Sequence, residues 1–254
     1  MKCKNPTVFI AMLLLVAFQA VSQNPEQLAA KAAKSYNNLQ FADAIAQYEK
    51  IISSGYESYS LYYNLGNAYF RNNELAHAVL NYEKALKIAP NNENILHNIG
   101  VVNSKLVDKV ETIPELFYIR WWKQLLNLMD IETQSILNIV LFTFGLSLIA
   151  VYIAANNLAI RKISFWTGIA FLLLFGVGSI AASQRNHYLT EHHEAIVFSQ
   201  TVNIKSSPDE NSKDIFVLHE GIKVTLLDVV AEWQEIRIAN GSVGWIKTVD
   251  IKKI

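Results

Sequence analysis

Apolar and polar positions follow three different patterns along this chain. From Leu28 to Ile99, apolar residues recur at spacings of three and four, the signature of amphipathic helices. The pattern is cut into short pieces by Asn72-Asn73, Pro90 and similar breakers, which predicts helical hairpins. From Ser135 to Ala155, and again from Ile163 to Ala182, periodicity disappears and charge with it. The first run reaches about 31 Å as a helix, enough to cross a hydrocarbon core. From Glu194 onward the period drops to two. The segments "AIVF", "VNIK", "IFVL", "KVTLLDVV", "WQEIRIA" and "VGWI" read as strands, with Asn240-Gly241 as a tight hairpin turn.

The helical part contains an internal repeat. Tyr59 to Asn92 is one repeat length of the tetratricopeptide repeat (TPR), which this segment resembles. Its signature positions hold Tyr62, Leu65, Gly66, Tyr69, Ala78, Tyr82, Ala85 and Pro90. Gly66 and Ala78 are small where the two helices cross, and Leu65, Tyr69 and Tyr82 fill the space around them. Pro90 ends the second helix. One repeat earlier, Ala32, Phe41, Ala44 and Tyr48 fit, and one repeat later Leu96, Ile99 and Gly100 begin a further helix. The expectation is a TPR domain over 23–110, two repeats plus a capping helix. So short a stack should lean on the membrane segment or on a partner. TPR stacks bind peptides in a concave groove, and register assigns Tyr63, Asn67, Phe70, Arg71 and His97 to it.

The N-terminus has the order of an export signal. Lys2 and Lys4 precede the apolar run Val8–Phe18, and Ala20-Val21-Ser22 offers a cleavage site, giving a signal peptide over 1–22. Residues 111–132 include Trp121, Trp122, Arg120 and Lys123 on an amphipathic pattern, read as an interfacial helix. The spans are expected over 133–155 and 163–183. The loop between them, 156–162, holds Arg161 and Lys162, the only charges between Glu132 and Gln184, which favours the cytoplasm. A linker over 184–193 leads to the barrel, 194–254. The fold class expected is therefore a multi-domain membrane protein: an all-α TPR solenoid, two transmembrane helices and a small all-β barrel.

Composition fits this division. Hydrophobic residues make up 52% and charged residues only 17%, with zero formal net charge. No basic field points to nucleic acid. The single cysteine, Cys3, lies inside the export signal, leaving the mature chain no disulfide or thiolate chemistry. His187, His192 and His193 fit no standard zinc spacing, so no metal or other cofactor is expected. No phosphate loop, nucleophile elbow or HExxH occurs, and no catalytic constellation is found.

The strand region resembles bacterial SH3-like (SH3b) domains through "VNIKSSPDENSKDIFVLHEG", Trp233 and "NGSVGWI". Such domains bind peptides or cell-wall material, and Trp233 is the candidate ligand contact. The whole order of parts, with "SLYYNLGNAYFRNNELAHAVLNYEKALKIAPNN", "RWW" and the barrel, resembles the BatE-type TPR proteins of Bacteroides aerotolerance (Bat) operons. That resemblance implies an inner-membrane scaffold with both heads in the periplasm. It also implies partners among membrane proteins with von Willebrand factor A (VWA) domains, beside MoxR-type ATPases. The alternative is a peptidoglycan sensor acting through the barrel.

Overall fold

The computed structural model describes residues 25–110, 116–126, 129, 131–190 and 193–254. The export signal read over 1–22 lies outside the described residues, as do 111–115 of the interfacial segment. Five helices form the head: α1 (Pro25–Asn37), α2 (Phe41–Ser53), α3 (Tyr59–Arg71), α4 (Leu75–Ile88) and α5 (Glu93–Asn103). Each packs on its successor. Side-chain caps start α3 and α5. The Ser58 hydroxyl accepts from the Leu61 amide at 3.1 Å, and the Asn92 side chain accepts from the amides of Asn94 and Ile95 at 3.1 and 3.3 Å.

The repeat register is written into the backbone. Leu39 and Asn73 both take left-handed φ, 62° and 64°, at the turn inside each hairpin. They lie one repeat length apart. Equivalent core positions match the same way: Ala44 and Ala78 are 0% exposed, and Tyr48 and Tyr82 are 3% and 1%. Of the eight signature residues, all but Pro90 are buried.

Helices α7 (Ile131–Ala154) and α8 (Leu158–Thr190) form an antiparallel hairpin. Both are long and apolar enough to cross a membrane, over Thr133–Ala154 and Leu158–Gln184. Glycines bring them together. A Cβ on Gly145 would stand 2.8 Å from Leu172, and one on Gly168 3.1 Å from Ile149. The rings of Phe142 and Phe175, and of Tyr152 and Phe165, meet across the seam at 4.9 and 5.2 Å. The connection is shorter than the sequence suggested. Asn157 accepts the Ala159 amide at 2.8 Å and starts α8 there, because Leu158-Ala159-Ile160 continues the apolar helix. Arg161 and Lys162 therefore belong to the first turns of α8, with the Arg161 guanidinium 5.2 Å from the Tyr152 ring centre.

The amphipathic segment contributes α6 (Phe117–Leu126), whose Phe117, Tyr118 and Trp121 are exposed. Trp122 donates its indole N–H to Gln184 at 2.8 Å, which puts α6 at the end of the hairpin opposite the 155–157 connection.

The C-terminal sheet has seven antiparallel strands: β1 (Glu194–Val197), β2 (Thr201–Lys205), β3 (Asp214–His219), β4 (Lys223–Val230), β5 (Trp233–Arg237), β6 (Val243–Lys247) and β7 (Ile251–Lys253). Their order is β3-β2-β6-β5-β4-β1-β7. Six follow the expected segments, and the seventh, β7, is additional. It is three residues long with only Ile251 buried, so its identity comes from pairing with β1, not from an alternating run. Gly241, at φ 88°, makes the Asn240-Gly241 turn. The barrel core is Ala195, Ile196, Val197, Ile204, Ile236 and Ile246, each 0% exposed.

The head leans on this barrel. One continuous buried cluster runs from Leu28 through Leu106 to Ile254. Leu106 packs against Gly221, where a Cβ would stand 2.4 Å from the leucine Cδ2. Gly221 also holds φ 89°, so both space and backbone demand glycine there.

Candidate functional site

One amide on α3 is the centre of a hydrogen-bond network in the head. Asn67 of α3 accepts from the Tyr82 hydroxyl at 2.7 Å and from the Asn98 amide at 2.9 Å. Asn98, on α5, also donates to the Tyr63 hydroxyl at 3.0 Å. Four side chains from three helices thus form one network, with the Tyr63 and Tyr82 rings 5.9 Å apart. Burial pushes the Tyr82 phenol well above its ordinary pKa, and the nearby Tyr63 adds to this. Tyr82 therefore stays a neutral donor.

Cations resting on aromatic faces flank the network. The Arg71 guanidinium lies 5.1 Å from the Phe41 ring centre, and Phe41 packs edge-on to Tyr36 at 5.4 Å. The Lys105 ammonium lies 4.7 Å from the Phe70 ring centre. The groove residues Tyr63, Asn67, Phe70 and Arg71 are thus together on one face. His97 is exposed and outside the network. Asn98 takes the inward place that register would give its neighbour. The motif has no signature position there, so only its hydrogen bonds to Tyr63 and Asn67 reveal it.

Two further tyrosines tie the repeats together. Tyr62 donates to Glu57 at 2.9 Å and Tyr69 donates to Glu49, with both phenols raised by burial and then by the carboxylates. Lys84, which helix periodicity would place outward, instead lies 5.6 Å from the Tyr62 ring centre, and burial lowers its pKa.

The head meets the barrel in part through polar contacts. Asp108 accepts from the His219 backbone amide at 2.7 Å and meets its imidazole Nδ1 at 2.9 Å. Lys223 bridges Glu83 of α4 and Glu194 of β1, both at 2.9 Å. Burial alone would pull the Lys223 ammonium down, but the two carboxylates outweigh it and lift it above the usual lysine range. His77 is stacked on Tyr69 and meets the edge of Phe198, both at 4.7 Å between ring centres.

On the barrel, Trp233 is 7% exposed and forms part of a notch of about 160 Å³ with Val202, Lys205, Glu210, Lys247 and Asp250. The Lys247 ammonium lies 5.6 Å from the Trp233 ring centre and pairs with Glu210. Among the described residues no group of three His, Cys, Asp or Glu side chains is placed to hold a metal ion.

These geometries agree with comparisons to known proteins. The TPR repeat profile matches residues 66–107, and the bacterial SH3 domain profile matches residues 200–252. No curated protein matches the chain. The crystal structure of a candidate protein-binding protein from Bacteroides ovatus is 17% identical, over 65% of this chain and 88% of that one. Its superposition gives a TM-score of 0.20, so nothing about this fold rests on it. The chain therefore combines a TPR-like helical region, two helices able to cross a membrane, and a C-terminal antiparallel sheet of the bacterial SH3 type.

Proposed function

We propose that this chain is a non-catalytic adaptor of a bacterial inner membrane that recruits envelope proteins through the concave face of its head. The observation that carries this reading is the Tyr63–Asn98–Asn67–Tyr82 network, flanked by the exposed Arg71 and Lys105. A fixed amide suits a peptide backbone, and flanking cations suit carboxylates. TPR and SH3 domains are interaction modules, which fits the non-catalytic role. Arg161 and Lys162 beside the short connection favour a cytoplasmic turn, with head and barrel both in the periplasm. The resemblance to BatE-type proteins makes VWA-domain membrane proteins the first partners to test, and a link to stress or oxygen tolerance the first phenotype.

The test is co-purification from membranes in mild detergent. Arg71 and Lys105 are exposed, so Arg71→Glu with Lys105→Glu should fold normally. Reversing both charges should weaken an acidic or carboxylate-bearing partner by about 2–3 kcal/mol, roughly a hundredfold. Lys213→Glu on the barrel is the control. If the groove variant is folded by circular dichroism and keeps every partner, recruitment runs elsewhere.

A second reading, cell-wall binding, is favoured by the notch beside Trp233. Co-sedimentation of the full chain in micelles with peptidoglycan sacculi separates the two. Sedimentation that Lys247→Glu abolishes would support the notch.

A further inference from the structure

Head and barrel enclose a cleft of about 520 Å³ between them. Asn103, Leu106 and Val110 line it from the head, and Thr225 and Arg237 line it from neighbouring strands of the barrel. Most of the charged groups around it already have hydrogen-bond partners. Lys223 is held by Glu83 and Glu194, and Asp108 by His219. The Lys109 ammonium donates to the carbonyls of Asn103, Ser104 and Leu106 at 3.1, 2.7 and 2.9 Å. Arg237 is different. It is exposed at the cleft, opposite Thr225 in the β4–β5 ladder, and its guanidinium has no partner among the described residues. The Asn103 amide and the Thr225 hydroxyl, also unpaired among the described residues, face the same space.

We propose that this cleft binds a short peptide bearing a carboxylate, seated between head and barrel. Arg237 takes the carboxylate through its planar fork of donors. Asn103 and Thr225, each both donor and acceptor, suit the peptide groups. Leu106 and Val110 offer an apolar wall for one side chain. The volume falls within the ordinary range for small-ligand sites, about 300–1,000 Å³. Arg237 is the cation of this lining without a hydrogen-bond or ion-pair partner among the described residues, and one planar guanidinium fits one carboxylate better than a phosphate, which would call for several cations or a nest of amides. Two sources share this chemistry: the C-terminal tail of a protein and the stem peptide of the cell wall. The site is separate from the concave groove, and either can fail without the other.

The experiment is isothermal titration of the full chain in detergent micelles. The probes are acetyl-Leu-Ala-Ala as free acid, its C-terminal amide, and a cell-wall stem tetrapeptide. Wild type should bind one of the two acids at least about tenfold more tightly than the amide. Which acid binds better assigns the source. Arg237→Gln should remove that preference, Arg237→Lys should restore part of it, and Lys213→Gln should leave it intact. Arg237 is exposed and outside the hydrogen-bond networks, so circular dichroism should show Arg237→Gln folded. Equal binding of acid and amide by wild type overturns the proposal, as does binding of neither acid or full preference in a folded Arg237→Gln. The acid–amide comparison on wild type stands even if that variant fails to fold.

Discussion

Gly66 of α3 and Gly100 of α5 stand one repeat length apart, yet they should respond oppositely to the same substitution. At Gly66 a Cβ would stand 2.7 Å from both Cδ1 and Cε1 of Tyr82 and 3.2 Å from its Cγ. The ring cannot swing away cheaply. Tyr82 is 1% exposed, and its hydroxyl is fixed on Asn67. Overpacking of this kind costs roughly 1–3 kcal/mol. Replacing a helical glycine by alanine returns about 1 kcal/mol through propensity. Gly66→Ala should therefore lose up to about 2 kcal/mol net, and Gly66→Leu more. At Gly100 a Cβ meets nothing within 4 Å, so only the propensity gain of about 1 kcal/mol remains. Because head, barrel and membrane helices need not melt together, one melting temperature is a poor readout. Amide hydrogen exchange across α3 and α4, measured on the full chain in micelles, reads the local stability directly. A loss of 1.4 kcal/mol corresponds to roughly tenfold faster exchange. Gly66→Ala should exchange faster than wild type, and Gly100→Ala more slowly across α5. Equal or slower exchange at Gly66→Ala would refute the packing argument.

Two further outcomes follow from the structure. Reporter fusions after Val110 and after Ile254 should behave as periplasmic and a fusion at Asn157 as cytoplasmic; a cytoplasmic signal from the C-terminal fusion refutes the two-span topology. The second concerns pH. Burial, then Lys252, hold the His77 pKa below its ordinary value, against the opposing pull of Glu74, Glu49 and Glu220. His77 is therefore neutral when docked and binds a proton more readily when head and barrel part. Its contribution is full above the ordinary histidine pKa and falls as pH drops below it. Exchange protection of β1 and β7 should decline between pH 7.5 and 5 more steeply in wild type than in His77→Phe. Parallel slopes would remove His77 from the docking contact.

The parts legible in the sequence were those with a period or a steric requirement. The repeat register was visible because Gly66, Ala78 and Tyr82 meet at one crossing, and the left-handed Leu39 and Asn73 repeat it in the backbone. The two long apolar helices are legible as charge gaps, and the second starts at Leu158, ahead of the expected Ile163. Arg161 and Lys162 suggest a loop only if the capping strength of Asn157 is ignored. What stayed hidden depends on distant partners. Strand β7 exists because β1 offers it a ladder. Asn98 joins Tyr63 and Asn67 through hydrogen bonds from a separate helix, and Trp233 gave no sign of whether core or ligand would claim it. The docking of head on barrel joins Asp108 to His219 and Glu83 to Lys223, more than a hundred residues apart, and no local pattern encodes such pairs.

That docking also explains how so short a stack can persist. Its polar contacts are partly exposed, and surface ion pairs contribute little individually. The chain's connectivity supplies what the contacts lack. Helix α8 runs on to Thr190, and only residues 191–193 separate it from β1. The head returns to α6 within the residues between Asn103 and Phe117, and α6 touches the same end of the hairpin through Trp122 and Gln184. Two short tethers thus rise from one end of one helical hairpin. Short tethers hold paired modules at effective concentrations of order millimolar, so an interface too weak to join free domains suffices here. Leu106 in the space left by Gly221 then sets the orientation that the tethers alone would leave open.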